Sequence, residues 1–236
     1  DSKRDYSNYD LITFDIETWG LVPENLALGI FYTGTKYEIF YTLEDIKLYL
    51  DNLENDTLIY AHNGFNFDYN IFFEDILSRK MKFEQRGGVK FLKYKNKHDK
   101  NIIFRDSVYI LPGTLKDLGK SFSDGTYKGI TPQKFINPSI IGFNRQEYIK
   151  DVKKYNIENL VELDIEYCKD DCLVLYKILH NEEVLKLRYR NFNTIAKIAN
   201  SKMLHSIEPI VIFNRFDYEF RNMYSGGLTS VFKHEA

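Results

Sequence analysis

The sequence predicts an α/β protein in which helices cover a mixed β-sheet. Two observations support this prediction. Apolar runs bounded by Gly, Asn or Asp occupy most of the first 64 residues, and apolar residues with helical spacing follow from position 67. Strands with helices both between and after them are typical of this class. The chain has 236 residues, of which 44% are hydrophobic, and this suffices for one large domain or a domain with an appendage.

Four strands are predicted in the first part of the chain, from short apolar runs that end at turn residues. They lie at 11–20, 26–34, 36–42 and 56–64. A short helix is predicted at 43–53, between the third and fourth strands.

The second part of the chain begins with an amphipathic helix predicted over 67–79, where apolar residues recur at helical spacing. Residues 89–111 predict a β-hairpin that turns at NKHDK, and residues 112–144 are irregular with scattered Gly and Pro. A long helix is predicted over 158–190, since its interior has neither Pro nor Gly. A boundary near 200–215 precedes one more short strand, EPIVIF.

Composition excludes several classes of protein. A charged fraction of 28% and a net charge of −2 argue against a disordered tail or a strongly basic nucleic-acid clamp, though not against a modest DNA-binding groove. Cys168 and Cys172 lack the second pair that a zinc site needs, so we expect reduced thiols in or near the core. No signal peptide or membrane-spanning apolar run is present, which predicts an intracellular protein.

The first strand contains two acids, Asp15 and Glu17, inside an apolar run. In a strand they point to the same face, about 7 Å apart along the chain. Two negative charges at that separation repel by about 2–3 kcal/mol if the effective dielectric constant is about 20. A strand with this pattern needs a compensating group.

Two further acids stand among apolar residues predicted to be helical. Asp68 lies in the first turn of the helix predicted over 67–79, where capping of the helix dipole is the alternative explanation. Asp171 shares a face of the long helix with apolar residues and with Tyr167, its neighbour one turn earlier. Burying Asp171 without a partner would cost considerable free energy.

If these four acids lie close together in the fold, divalent cations would offset the repulsion between their charges. Oxygen-only ligands favour Mg²⁺ or Mn²⁺ over zinc. Two such ions about 3.5–4 Å apart can activate a water and stabilise a leaving oxygen in phosphodiester cleavage.

At these positions the sequence resembles the 3′–5′ exonuclease domain of family B DNA polymerases, which has a ribonuclease H-like fold. The three motifs of that family are matched in order by FDIET, HNGFNFD and YCKDD, which contain Asp15 and Glu17, then Asn63, Phe67 and Asp68, then Tyr167 and Asp171. Related exonucleases carry a His five residues before the last Asp. That position is Glu166 here, so the resemblance is to the tyrosine (DEDDy) type.

The resemblance extends to the protein-primed branch found in bacteriophages and linear plasmids. YAHNGFNFDYNIF resembles the second-motif region of that branch, and its YxGG motif is matched by Tyr224, Gly226 and Gly227. A strand-edge turn that needs Gly flexibility is the alternative for the latter. We expect an exonuclease domain over 1–200 and, over 201–236, a connector toward a polymerase region, with the polymerase core absent.

The resemblance implies catalytic roles for several residues. Asp15, Glu17, Asp68 and Asp171 would hold two Mg²⁺ or Mn²⁺ ions, and Tyr167 would orient the attacking water. The branch also has a catalytic lysine in a Lys-x-x-hydrophobic motif, for which TYKGIT offers Lys128. Thr131 departs from that motif, so three other lysines compete for the role: Lys116, Lys120 and Lys134.

The DNA contacts are predicted around the second motif. Tyr60, His62, Asn63 and Phe67 would stack on or hydrogen-bond the last bases, with local packing the alternative for His62 and Phe67. Weaker candidates, which backbone hydrogen bonding explains almost as well, are Thr18 and Ser107. A lysine-rich hairpin could line a DNA path, although a solvated surface is the more frequent explanation. Its lysines are Lys90, Lys93, Lys95 and Lys97.

The resemblance therefore implies a metal-dependent 3′–5′ exonuclease that acts on single-stranded DNA ends, as the proofreading domain of a protein-primed DNA polymerase. It would release nucleoside monophosphates by two-metal hydrolysis. The expected partners are a single-stranded DNA 3′ end, a priming terminal protein and a C-terminal polymerase domain, with no membrane. We expect a monomer, in the cytoplasm or an organelle of the host of a phage, virus or linear plasmid.

Two other functions are left open. One is a stand-alone 3′–5′ exonuclease that acts on DNA or RNA. The other is a non-catalytic module that binds DNA or a priming protein.

Overall fold

A computed structural model describes most of the chain, namely residues 5–18, 26–86, 88–123, 160–191 and 194–206. The chain divides into two compact units, Asp1–Ile198 and Ala199–Ala236. Within the described ranges, no helix is both long and apolar enough to cross a membrane. The predicted connector lies almost entirely outside the described residues, so its boundary stays a prediction.

A seven-stranded mixed sheet forms the centre of the first unit, in the order β3-β2-β1-β4-β7-β6-β5. The strands are β1 (Asp10–Thr18), β2 (Leu26–Tyr32), β3 (Tyr37–Phe40), β4 (Thr57–Ala61), β5 (Lys82–Arg86), β6 (Val89–Lys95) and β7 (Asn101–Asp106). β1, β4 and β7 run parallel, and the other neighbours pair antiparallel. The predicted mixed α/β sheet and the β6–β7 hairpin are confirmed.

Helices of the first unit cover both faces of this sheet. They are α1 (Leu43–Asp51), α2 (Phe73–Leu77), α3 (Leu115–Phe122), α4 (Leu160–His180) and α5 (Glu182–Leu185). A further helix, α6 (Ile195–Ser206), begins at the end of the first unit. On one face, alternate β1 residues such as Phe14 pack against α1 and the segment that follows β4. On the other face, residues such as Leu11 pack against α3 and α4. Because side chains alternate along a strand, Asp15 and Glu17 belong to the face that α4 covers.

The helix predicted over 67–79 is wrong in its first half. Two 3₁₀ turns, Gly64–Asn66 and Asp68–Phe72, precede the short α2. Asn63 has a left-handed backbone with φ 65°, and Phe67 has φ −143° and ψ −73°, so neither residue is α-helical. Apolar residues three apart also align in a 3₁₀ helix, which is why the spacing alone did not distinguish the two.

The long helix predicted over 158–190 ends earlier than expected. α4 stops at His180, and the next residue, Asn181, has an extended backbone. The Asn181 side chain accepts a 3.0 Å hydrogen bond from the amide of Glu183. An Asn side chain competes in this way for backbone donors and begins a new helix. In the segment predicted to be irregular, Thr114 caps α3 in the same way through the amide of Asp117.

Candidate active site

The first two acids lie on β1, on the face toward α4. Asp15 and Glu17 are half-buried, and their partners across the antiparallel pair are Ile30 and Leu28. These two apolar residues form a small core cluster with Cys168 and Cys172 of α4. The acids therefore stand beside an apolar cluster in which the third motif is anchored.

Asp68 reaches β1 from the 3₁₀ turn after β4. The parallel pairing of β1 with β4 ends at Thr13 and Tyr60, so β1 continues past its neighbour. Beyond that point the amide of Ile16 donates a 3.2 Å hydrogen bond to Oδ1 of Asp68. The Asp68 side chain thus accepts a hydrogen bond from β1 beyond the point where β4 stops pairing with it.

The environment of Asp68 is unfavourable for a negative charge. The residue is only 4% exposed. Burial raises the pKa of its carboxyl well above the ordinary value, and the negative charge of Asp15 raises it further. These two acids, 53 positions apart in the chain, are therefore electrostatic neighbours.

α4 brings the residues of the third motif, Tyr167 and Asp171, to the same place. Both are buried, each 7% exposed. Thr13 Oγ1 donates a 2.8 Å hydrogen bond to the main-chain carbonyl of Cys172, next to Asp171, and the Cys172 thiol donates to the carbonyl of Ile30 at 3.3 Å. These two bonds attach the helix to β1 and β2 at the level of the acids.

The pKa of the Cys172 thiol records this convergence. Burial raises it most, and the charges of Asp15, Asp171 and Asp68 contribute to a value of about 11. Burial likewise raises the pKa of Cys168, to which the charges of Asp15 and Glu17 also contribute. Both cysteines are free and buried, as expected. Each of the four predicted acids therefore contributes to the pKa of at least one of these two thiols.

The carboxylate oxygens of the four acids suit the predicted metal ions chemically, but the side chains are not grouped around one point. Carboxylate oxygens are the ligands that Mg²⁺ and Mn²⁺ prefer, and a cation would relieve the unfavourable charge environment of Asp68. Among the residues that the structure describes, however, no three Asp, Glu, His or Cys side chains stand as a group that could hold one metal ion.

Asp106, which the sequence analysis missed, supports the second motif. It ends β7, is 3% exposed, and accepts hydrogen bonds from the amides of Asn63, Phe65 and Val108. In NIIFRD the acid follows Arg105 and does not stand inside an apolar run, so the pattern that identified Asp15 is absent at Asp106.

Two predicted DNA contacts are corrected by their burial. Tyr60 is fully buried, with its ring edge-on to Tyr189. Ser107 is also fully buried, and its hydroxyl lies 3.2 Å from the carbonyl oxygen of Ala61 and 2.8 Å from Nδ1 of His62. Neither side chain is accessible to a nucleic acid; Ser107 bonds to backbone, as its alternative explanation held.

The other predicted contacts differ in accessibility. Asn63 is exposed, while His62, Phe67 and Thr18 are half-buried. Nε2 of His62 donates to the carbonyl oxygen of Gly113 at 2.9 Å, so both ring nitrogens have protein partners and only the ring face is left for a base. The DNA-binding roles of these four residues stay predictions.

Several predicted residues lie outside the described part of the chain. They are Lys128, Lys134, Tyr224, Gly226 and Gly227. Of the competing lysines, Lys116 and Lys120 are exposed on α3. In the hairpin, Lys93 pairs with Glu84 at 2.6 Å and Lys95 pairs with Asp99 at 2.7 Å, as on a solvated surface.

The chain is similar to known DNA polymerases. Residues 52–236 match the family model described as DNA polymerase type B, organellar and viral. The chain is 27% identical to a probable DNA polymerase of Ascobolus immersus over 274 aligned positions, which cover 94% of this chain and 22% of that protein. It is 26% identical to the DNA-directed DNA polymerase of Enterobacteria phage PRD1, with 95% of this chain and 36% of that protein covered.

Solved structures of Phi29 DNA polymerase share the fold. The complex with single-stranded DNA aligns with a TM-score of 0.54 and 17% identity over 92% of this chain and 40% of that one. The ternary complex with primer-template DNA and incoming nucleotide aligns with a TM-score of 0.55 and 16% identity, over 92% of this chain and 39% of that one. The chain thus spans well under half the length of the proteins that it resembles.

Proposed function

The chain belongs to the organellar and viral type B DNA polymerase family, and from that premise we propose that it is the 3′–5′ exonuclease region of a protein-primed polymerase. Its substrate would be the 3′ end of a single DNA strand. One observation carries the proposal: the segments that bear the acids are joined at β1, where the amide of Ile16 donates to Asp68 and Oγ1 of Thr13 donates to the carbonyl of Cys172, next to Asp171.

The four carboxylates would hold the metal ions. Asp15 and Glu17 project from a rigid central strand, Asp68 is fixed by the amide of Ile16, and Asp171 is fixed through the docking of α4. Two divalent cations would neutralise these charges, activate a water and stabilise the leaving oxygen. Burial and the charge of Asp15 raise the pKa of the Asp68 carboxyl, so a bound cation would favour its ionised form.

Tyr167 would orient the attacking water. It precedes Asp171 by one helical turn, and its hydroxyl can both donate and accept a hydrogen bond. An ordinary phenol ionises near pH 10, so Tyr167 would position the water rather than deprotonate it. In the reaction the water oxygen bonds to the phosphorus of the terminal nucleotide, and the bond from that phosphorus to the 3′ oxygen of the preceding nucleotide breaks. The water gives up a proton, the freed 3′ oxygen gains one, and a nucleoside 5′-monophosphate leaves.

The second-motif loop would contact the last bases of the strand. Asn63 presents an exposed amide, and Phe67 and His62 each present part of a ring. Aromatic faces stack on bases regardless of sequence, as proofreading of any terminal nucleotide requires. Thr18 is the last residue of β1 and directly follows Glu17, so it would lie beside the carboxylates.

A nuclease assay tests the proposal. The 236-residue chain is incubated with Mg²⁺ and a single-stranded oligonucleotide labelled at its 5′ end, and shortening from the 3′ end is expected. Asp15→Ala and Asp68→Ala should abolish shortening, whereas Glu54→Ala, at an exposed position away from these acids, should not. Retained cleavage in Asp15→Ala would overturn the assignment.

A second function is favoured by one observation. Because no three ligand side chains among the described residues are placed to hold a metal ion, a non-catalytic module that binds DNA would also fit the fold. Tight binding of single-stranded DNA by a protein that takes up no Mn²⁺ would favour this function over the exonuclease. A priming terminal protein and a polymerase domain are further proposed partners.

A further inference from the structure

Asp106 ends β7 beside the loop that carries the second motif. In the parallel pairing of β4 with β7, Asp106 stands opposite Ala61, the last residue of β4. Residues 62–67 leave the sheet at that point and lead to Asp68. A side chain at position 106 is therefore placed to hold the start of this loop.

The Asp106 carboxylate accepts three backbone hydrogen bonds. Oδ1 accepts from the amides of Asn63 at 2.8 Å and Val108 at 3.0 Å, and Oδ2 accepts from the amide of Phe65 at 3.1 Å. The first amides of a helical turn have no partner within the turn, so the carboxylate supplies what Asn63 and Phe65 lack. Both carboxylate oxygens are used, and one side chain connects β7 to two positions of the loop.

The loop contains a conformation that needs such support. Asn63 has φ 65°, a left-handed conformation that is uncommon for residues other than glycine, although asparagine adopts it more readily than most. The Phe65 ring packs edge-on against Tyr69, so a shift of residue 65 would meet the core. The hydrogen bond to Asp106 therefore selects one conformation of the turn.

The turn is continuous with the segment that positions Asp68. The amide of Phe67 donates to the carbonyl of Gly64 at 3.2 Å, and the amide of Asn70 donates to the carbonyl of Phe67 at 3.0 Å. At its far end the segment is attached to β1 by the bond between Ile16 and Asp68. The segment is thus held at one end by Asp106 and at the other by Ile16.

We propose that Asp106 is a positioning residue for the exonuclease site: its carboxylate sets the conformation of residues 63–65 and thereby places Asp68 beside Asp15 and Asn63 toward the DNA. This inference rests on the proposed function for its effect on metal binding and cleavage. The placement of the loop can be measured whether or not the protein is a nuclease. Groups that orient a metal ligand typically contribute 10–100-fold to metal affinity or activity.

The charge of Asp106 also acts on a bound cation directly, because a nearby carboxylate attracts a divalent ion, so loss of this charge alone predicts weaker Mn²⁺ binding in Asp106→Asn. Asp106→Glu keeps the charge but moves the carboxylate. Weaker Mn²⁺ binding in Asp106→Glu as well therefore assigns the effect to loop geometry.

The test compares Asp106→Asn with a matched control. An Asn at this position keeps one oxygen to accept from the amides of Asn63 and Val108. Its NH₂ group would face the N–H of Phe65, so that hydrogen bond is lost. Asp75→Asn is the control, since Asp75 is also a buried acid, paired with Lys47 at 2.6 Å on the opposite face of the sheet from α4. Asp106→Glu, which keeps the charge and both acceptor oxygens, is the second variant in case Asp106→Asn does not fold.

Two measurements are made on the 236-residue chain. Amide hydrogen exchange of residues 63–68 is expected to accelerate in Asp106→Asn and, to a smaller extent, in Asp106→Glu, but not in Asp75→Asn. Mn²⁺ affinity, followed by the signal of free Mn²⁺ in paramagnetic resonance, is expected to fall about tenfold in Asp106→Asn and to be unchanged in Asp75→Asn.

The outcomes distinguish this inference from the proposed function. Unchanged exchange at residues 63–68, or an unchanged or higher Mn²⁺ affinity in Asp106→Asn, overturns the role of Asp106 whether or not the wild type cleaves DNA. Faster exchange with weaker Mn²⁺ binding, in a wild type that does not cleave, supports the role of Asp106 and overturns only the exonuclease function.

Discussion

The main-chain amide of Ile16 donates a hydrogen bond to Oδ1 of Asp68 at 3.2 Å. This bond joins the strand that carries the first two acids to the turn that carries the third. It also leaves Asp68 buried beside Asp15, where its charged form is disfavoured. Four predictions follow from this arrangement and from the contacts around it.

Replacing Asp68 should change how stability depends on pH in the absence of metal. A carboxyl whose pKa is higher in the folded protein holds its proton more tightly there than in the unfolded chain. Its contribution to the free energy of unfolding is therefore greatest at low pH, and it is lost as pH rises from the ordinary value of 3.8 through the raised folded value. We expect Asp68→Asn to be more stable than the wild type at pH 8 in EDTA.

Denaturant unfolding of both proteins between pH 5 and pH 8 measures this difference. The gap in free energy of unfolding should widen in favour of Asp68→Asn as pH rises. A gap that is constant across that range would show that Asp68 has an ordinary pKa in the folded protein.

Thr13→Val should loosen the attachment of α4. The variant removes the buried hydrogen bond from Oγ1 to the carbonyl of Cys172 while nearly preserving side-chain volume. One such bond contributes about 0.5–1.5 kcal/mol to stability. Thermal unfolding should occur a few degrees lower, and nuclease activity should fall because Asp171 shifts; Thr13→Ser, which keeps the hydroxyl, should retain more of both. Equal behaviour of the two variants would contradict this role of the bond.

Tyr167→Phe should separate metal binding from the chemical step. The ring still fills its buried site, but the hydroxyl that would orient the water is gone. We expect single-turnover cleavage to slow by roughly tenfold or more, with Mn²⁺ affinity unchanged. Loss of Mn²⁺ binding in this variant would mean that Tyr167 acts on the carboxylates instead.

Gly64→Ala should destabilise the second-motif loop. A Cβ at this position would lie 2.6 Å from Cβ of Ala61 and 2.9 Å from Cε2 of Tyr69. Overpacking of this kind typically costs about 1–3 kcal/mol. Calorimetry should show a lower unfolding temperature, and the amides of residues 63–68 should exchange faster. Wild-type stability and exchange in this variant would show that the loop can move without cost.

The strands of the sheet centre were predictable because apolar residues recur at every second position or more often. TLIYA is mostly apolar and fully buried, and LITFDIET has Ile12, Phe14 and Ile16 at alternate positions that point into one core. The edge strand β5 was missed, since KFEQR is mostly charged and pairs on one side only. Edge strands often carry such charges, and the amino-acid composition of such a strand is then similar to that of a loop.

The site was predictable where an acid interrupts an apolar pattern and unpredictable where a contact is long-range. Asp15 and Asp171 stood out against their neighbours in sequence. The roles of Asp106 and Thr13 depend on partners 43 and 159 positions away, which no local pattern specifies. Tyr60 was misassigned because a tyrosine near the motif suits base stacking, whereas β4 turns this ring into the core.

If acids from three segments form one cation site, isothermal calorimetry with Mn²⁺ should detect it in the 236-residue chain. We expect the wild type to bind two Mn²⁺ ions, Asp15→Ala and Asp68→Ala each to lose at least one of them, and Glu54→Ala to bind both. Absence of binding in the wild type, or the same stoichiometry and affinity in Asp68→Ala, would contradict this expectation.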